Sequence, residues 1–276
     1  MKSILLVLML GIAAAPAIRI LTADLKPDTL AGFERYVKTA ELRIAKEEND
    51  PATFLYFDKL SASDRSRMMD SLKQGAVFIT KLTALDSESR PLEAPGGLIH
   101  HWLGMVFISG ATLQEVLSVV QDYNHHQDYY RPEVIRSRLE SRRDHHFKVY
   151  LRFQEKKLVT VTLDTEHDVE YKRLDHTHEF SRSYSTRIQE VREAGEPGEH
   201  LMPVGHDGGF LWRINSYWRF QESDDGVYVQ CESISLTRDI PTGLGWLIEP
   251  FVSSVPRESL EEMLEATRRA VEAKFK

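Results

Sequence analysis

The stretch 238-RDIPTGLGWLIEPFVSSVPRESLEEML-264 joins the end of a β-branched strand to an amphipathic helix through a Pro/Gly turn and an apolar run. Pro241-Thr242-Gly243-Leu244-Gly245 carries turn chemistry. From Pro256 onward, Leu260, Met263, Leu264, Thr267, Val271 and Phe275 recur on one helical face. Between turn and helix, Trp246, Leu247, Ile248, Phe251 and Val252 make a greasy hinge. The chain therefore leaves a sheet edge and lays its last helix across the sheet's concave face.

Six strands precede this ending: VIRSRLES, HFKVYLRF, LVTVTLDTEHDVEY, HTHEFSRSYSTRIQEV, FLWRINSYWRF and VYVQCESISLT. Turn residues separate them at Arg143-Asp144, Lys156-Lys157, Arg173 to Asp175 and Asp224 to Gly226. A long loop, Glu193 to Gly209, holds five glycines and two prolines. Upstream, IHHWLGMVFI is strand-like and stops at Ser109-Gly110. Thr112 then caps a helix with Leu113, Val116, Leu117 and Val120 inward. That helix runs into QDYNHHQDYYRPE, where Pro132 ends helical structure. Strands on short turns form an antiparallel sheet with one face for the core, and the last helix is left to cover it.

Residues 24 to 90 read as mostly helical. Asp28 is placed to cap a helix whose Leu30, Phe33, Val37, Ala40 and Ile44 share a face; Ser63 or Asp64 caps a second, with Met68, Met69 and Leu72 inward and Gly75 past its end. A polar connector, Asp86 to Pro95, separates this appendage from the main domain. Ahead of it, Lys2, the run ILLVLMLGIAAA and Ala15-Pro16-Ala17 match the three parts of a cleavable export signal. That run is shorter than the roughly 20 residues of a membrane span. The expected organisation is a signal peptide at 1–17, a helical appendage and connector at 18–95, and the main domain at 96–276. Export ends in the periplasm or outside the cell, with no stable membrane insertion once the signal is removed.

The formal charge of −7 argues against nucleic acid as partner, because phosphate binding needs a basic face. The single cysteine, Cys231, forms no internal disulfide and sits in a strand pattern, which predicts a buried thiol. Nucleophile elbow, Walker loop, dinucleotide fingerprint, H-E-x-x-H and C-x-x-C are all absent from the sequence. No cofactor and no metal is expected: His176 and His178 form an H-x-H without an obvious third ligand. The pairs His100-His101, His125-His126 and His145-His146 read as surface features, the middle one ending a helix where an imidazolium suits the dipole.

The segment VVQDYNHHQDYYRPEV (119–134), with Asp122, then Tyr129-Tyr130, then Pro132 opening the next strand, resembles the second helix of the START/SRPBCC superfamily. The closing ESLEEMLEATRRAVEAKF is similar as well. The superfamily includes polyketide cyclase/dehydrase-like and coenzyme Q-binding proteins. The resemblance covers about residues 97 to 276. It implies an α+β helix-grip fold: a curved antiparallel sheet wrapped around a long C-terminal helix, here with a helical N-terminal appendage. It also implies a hydrophobic ligand between sheet and helix, without naming that ligand, because fold does not give function.

Pairing Tyr171 with His176 places His167, His178, Arg182 and Tyr184 on the inner face of the sheet. Buried polar groups of this kind either satisfy one another, also using Glu232 or Asp239, or line a cavity and hold a ligand's polar end. On the cavity reading those four are ligand-binding, with Trp212, Trp218, Trp246 and Phe251 as walls, and the loop 193–209 and hinge 240–255 gating access. An enzyme of the same fold, a cyclase or hydrolase with His167 or His178 as general base, is the alternative. The third is a structural or partner-binding protein with a solid core. In the last strand, Val227, Val229 and Cys231 suggest one inward set and Ile234 and Leu236 the other, so a bulge near Glu232 is expected.

Overall fold

The computed structural model describes residues 22–157, 159–240 and 245–275. The expected export signal and the turn at 241–244 lie outside the described residues, as do the side chains of Trp246 and Phe251. Short β1 (Ala23–Asp24) leads into α1 (Pro27–Glu48) and α2 (Ala62–Lys73), then β2 (Phe78–Lys81) and β3 (Gly97–Ser109). Next come α3 (Leu113–Val120) and α4 (His126–Tyr129), then β4 (Val134–Arg143), β5 (His146–Lys156), β6 (Thr160–Arg173) and β7 (His178–Arg192). Short β8 (His200–Leu201) and β9 (His206–Asp207) precede β10 (Arg213–Ser223), β11 (Gly226–Arg238) and α5 (Gly245–Phe275). The main sheet runs β2-β3-β11-β10-β7-β6-β5-β4, all antiparallel, with β8 paired to β7; β9 pairs β1 separately.

Local chemistry explains most boundaries. Pro27 takes the first helical position of α1 after Lys26, so Asp28 stands in the first turn, where it favours the helix dipole, and is not the cap. Ser61 caps α2 by accepting from the Asp64 N–H at 3.2 Å. Thr112 and Glu115 form the reciprocal capping box of α3. The final helix starts at Gly245, earlier than Pro256, and Pro256 sits inside it. An internal proline costs one helical hydrogen bond, which packing along a 31-residue helix outweighs.

Both faces of the sheet are covered, which overturns the expectation of one apolar face. On the helix face, Leu260, Leu264 and Val271 of α5 and Val116, Val119 and Val120 of α3 pack with Val106, Ile108, Phe147, Val149, Val169, Phe220, Val227, Val229 and Cys231. On the outer face, Phe33, Tyr36, Val37, Ala40 and Ile44 of α1 pack with Phe180, Tyr217, Ile234 and Leu236. Phe54, Phe57 and Leu72 pack with Leu103, Met105, Phe107 and Tyr228 beside them. Strand β11 is therefore buried on both sides, and its two inward sets belong to opposite faces. Its pairing with β3 and β10 is continuous through Glu232, so no bulge is present there. Phe275, expected inward, is 42% exposed at the helix end.

At Gly104 the side chains of α5 lie close against the backbone of β3. A Cβ there would lie 2.5 Å from Leu264 Cδ1 and 2.6 Å from Ile79 Cδ1. The replacement Gly104→Val should destabilise the fold by about 1–3 kcal/mol, as overpacking does. Urea midpoints measured at constant slope would check it, and an unchanged midpoint would mean that α5 is free to lift.

Candidate functional site

The β6–β7 hairpin does not have the expected register. Tyr171 pairs with Ser181, five residues further along than His176. The cause is Asp175, whose Oδ1 accepts from the Thr177 N–H at 2.7 Å and the His178 N–H at 2.8 Å. This side-chain turn lengthens the loop and delays β7 to His178. An odd shift turns the whole strand over. His178, Arg182 and Tyr184 consequently leave the helix face, and Ser181, Ser183 and Ser185 take their place.

The predicted site residues are thus divided between two faces. His167 and Trp218 lie on the helix face, Trp218 stacked on Phe220 at 5.9 Å. His167 is buried, its Nε2 is 2.9 Å from Thr165 Oγ1, and burial holds its pKa down at about 4. On the outer face, Tyr184 donates to Glu41 at 2.5 Å, and Arg182 pairs with Glu170 through Nε at 2.7 Å. His178 faces Asp175 at 3.0 Å and the edge of Phe54. Trp212, just before β10, is buried in the α1 cluster and donates to Asp207 at 3.2 Å.

What the helix face holds in their stead is a floor of small hydroxyl side chains. Across neighbouring strands, Trp102, Ser233, Ser216, Ser183 and Val169 stand in one cross-strand row. The next row reads His100, Ser235, Ile214, Ser185 and His167, with the Ile214 N–H donating to Ser185 Oγ at 2.9 Å where the β10–β7 pairing stops. An extra residue, Thr186, makes a bulge opposite Glu166 and His167 and marks the end of this floor. Trp102, Ser183, Ser185, Ile214, Ser216, Trp218 and Ser233 are all only half-buried, although they stand in the middle of the sheet. His100 is buried, 3.0 Å from Thr237 Oγ1, and its pKa is lowered to about 4 by burial and then by Lys81.

The histidine pairs are not all surface features. His100, His101 and His126 are buried; His125, His145 and His146 are exposed. His126 opens α4 instead of ending a helix, and burial lowers its pKa to about 4, so it carries no imidazolium at neutral pH. His101 faces outward to α1, with Tyr36 Oη 2.9 Å from Nδ1 and Glu232 Oε1 2.7 Å from Nε2. Glu232, whose direction the sequence leaves open, points to this outer face, where Arg43 also pairs with it. Burial raises its pKa, but the His101 hydrogen bond and the Arg43 charge outweigh that and hold the carboxyl at about 2. Glu47 accepts from Arg43 at 2.9 Å, Lys59 at 2.8 Å and the fully buried Arg219 at 3.0 Å.

A cleft lies at the β4–β5 edge. With a volume of about 700 Å³, it separates Glu133 to Ile135 and Gln154 to Lys157 from Val255, Glu258, Ser259 and Glu262 of α5. Burial, together with Glu155 and Glu262, raises the Glu133 carboxyl to about 7. Val134 belongs both to this cleft and to a packed group with Tyr130 and Ala266. Among the described residues, no group of three or more His, Cys, Asp or Glu is placed to hold a metal ion. No helix among them is long and apolar enough to cross a membrane.

The order of elements is a strand, two short helices, a run of antiparallel strands and a long helix against their concave face. This is a helix-grip fold. No protein-family model matches the chain, and no curated protein matches it. Among solved structures it is similar to a STAR-related lipid transfer protein from Xanthomonas axonopodis, at 20% identity and TM-score 0.45, over 70% of this chain and 98% of that one. The Zhui aromatase/cyclase from a Streptomyces species is 12% identical at TM-score 0.42, over 65% of this helix-grip chain and 97% of its own. Human STARD10 is 10% identical at TM-score 0.43, over 78% and 83% respectively. These likenesses concern the fold alone.

Proposed function

We propose that this chain is exported and binds a hydrophobic or amphipathic small molecule on the helix face of its sheet, beneath α5. One observation carries the reading: the half-buried floor of Trp102, Trp218, Ile214 and four serines at the centre of the sheet. A packed core at that position would bury large aliphatic side chains to native density. Apolar and aromatic walls with a few placed polar groups are how small-molecule sites are built. The structural neighbours include proteins described as a lipid transfer protein and an aromatase/cyclase, which is compatible with an apolar ligand.

Binding is favoured over turnover by the state of His167. A general base works best with a pKa near the operating pH, and burial leaves this imidazole at about 4 with Thr165 as its partner. His178, the other candidate base, stands on the opposite face against Asp175.

Native mass spectrometry of the protein from its exported compartment, followed by denaturing extraction, tests the proposal. A stoichiometric small molecule is the expected result. A reproducibly empty protein that also takes up no hydrophobic dye would overturn it.

A further inference from the structure

We infer that the ligand of this face is uncharged, carrying hydroxyl or carbonyl oxygens on an apolar frame, and is neither a carboxylate nor a phosphate amphiphile. The inference rests on the binding site proposed above and specifies its chemistry. The register turns Arg182 to the outer face, where Glu170 engages it. The polar side chains that remain on the floor are hydroxyls and imidazoles: Ser183, Ser216 and Ser233 in one row, His100 and His167 at the two ends of the next. Both imidazoles are buried and bonded to threonine hydroxyls, His100 to Thr237 and His167 to Thr165. Each is a neutral group at neutral pH.

Hydroxyls and neutral imidazoles both donate and accept, so they satisfy ligand hydroxyls and carbonyls equally well. An ionised headgroup placed there would lose its water without gaining a counter-charge, which costs far more than a neutral oxygen loses. Trp218, stacked on Phe220 and half-buried, offers an aromatic face beside the hydroxyl row. Lys81, paired with Trp102, stands exposed on the edge strand β2, at the rim, where water already solvates it.

A matched pair of probes that share one frame tests this directly. Retinol and retinoate differ in an alcohol against a carboxylate, and both are followed at pH 8 by quenching of tryptophan fluorescence in the full chain. Retinol is expected to bind at least tenfold more tightly than retinoate. Ser216→Lys, and independently Ser183→Lys, should narrow or reverse that preference by supplying the missing cation. Retinoate binding as tightly as retinol to the unaltered protein would overturn the inference while leaving a ligand site intact. Neither probe binding would overturn the site and the inference together.

Discussion

Replacing Glu232 by leucine should destabilise the protein by about 3–5 kcal/mol at neutral pH, the usual cost of removing one partner from a buried ion pair. Glu232 is 1% exposed and meets Arg43 and His101, while Arg219, also 1% exposed, lies within its field. Without the carboxylate, the His101 Nε2–H loses its acceptor, and Arg219 keeps Glu47 alone as counter-charge. Glu47 is already shared with Arg43 and Lys59. The network ties α1 to β10 and β11, so its loss should loosen the N-terminal helix from the sheet first.

The pH dependence has a defined sign. The folded carboxyl titrates at about 2, below its ordinary 4.5. Its contribution is therefore present above about pH 4.5 and is lost as pH falls towards 2, amounting to about 3 kcal/mol. Urea unfolding at pH 7 and pH 3 should show the wild type losing more stability on acidification than Glu232→Leu. Other depressed carboxyls, Asp164 beside Arg152 among them, act equally in both proteins and cancel in the comparison. Equal acid losses in the two proteins would place the acid sensitivity elsewhere.

This network also shows where the sequence stops being readable. Strand order, the helix pair and the final helix are legible because periodicity and turn residues are local signals. The apolar spacing of α1 is equally plain: Phe33, Val37, Ala40 and Ile44 are among its buried residues, while Leu30 is only partly buried. Its destination is not local information. The mixed parity of β11 was the available clue: Val227, Val229 and Cys231 against Ile234 and Leu236 is what a strand buried on both faces looks like. A bulge explains the same letters, and only the partner of the second face decides between them.

The site was legible in part for a related reason. Alternation along β6 places Val161, Leu163, Thr165, His167 and Val169 on one face, and all five are buried. Extending the pattern across the hairpin required the loop length, which Asp175 sets through contacts with Thr177 and His178. A D-x-T sequence is a recognisable signal for such a turn. With it, the alternating serines of SRSYS would have been read as the inward set, and Arg182 and Tyr184 as the outward one.

Ser216→Phe should abolish uptake of retinol or a hydrophobic dye while changing stability by no more than about 0.5 kcal/mol, as substitutions at unpacked positions do. Ser216 stands between Ser183 and Ser233, beside Trp218, and all four are half-buried. A phenyl ring at that point lies over its two serine neighbours and occupies the space a ligand would need. The two readouts separate an open floor from a filled one. If the face were solid core, the added ring would force side chains off their rotamers and cost about 1–3 kcal/mol. A drop of that size in the urea midpoint, with no uptake by the wild type either, would sink the ligand reading. Unchanged stability with lost uptake would place the ligand against Ser216. Unchanged stability with full uptake would move it away from the serine floor, and the cleft lined by Glu133 and Glu262 would be the next place to look.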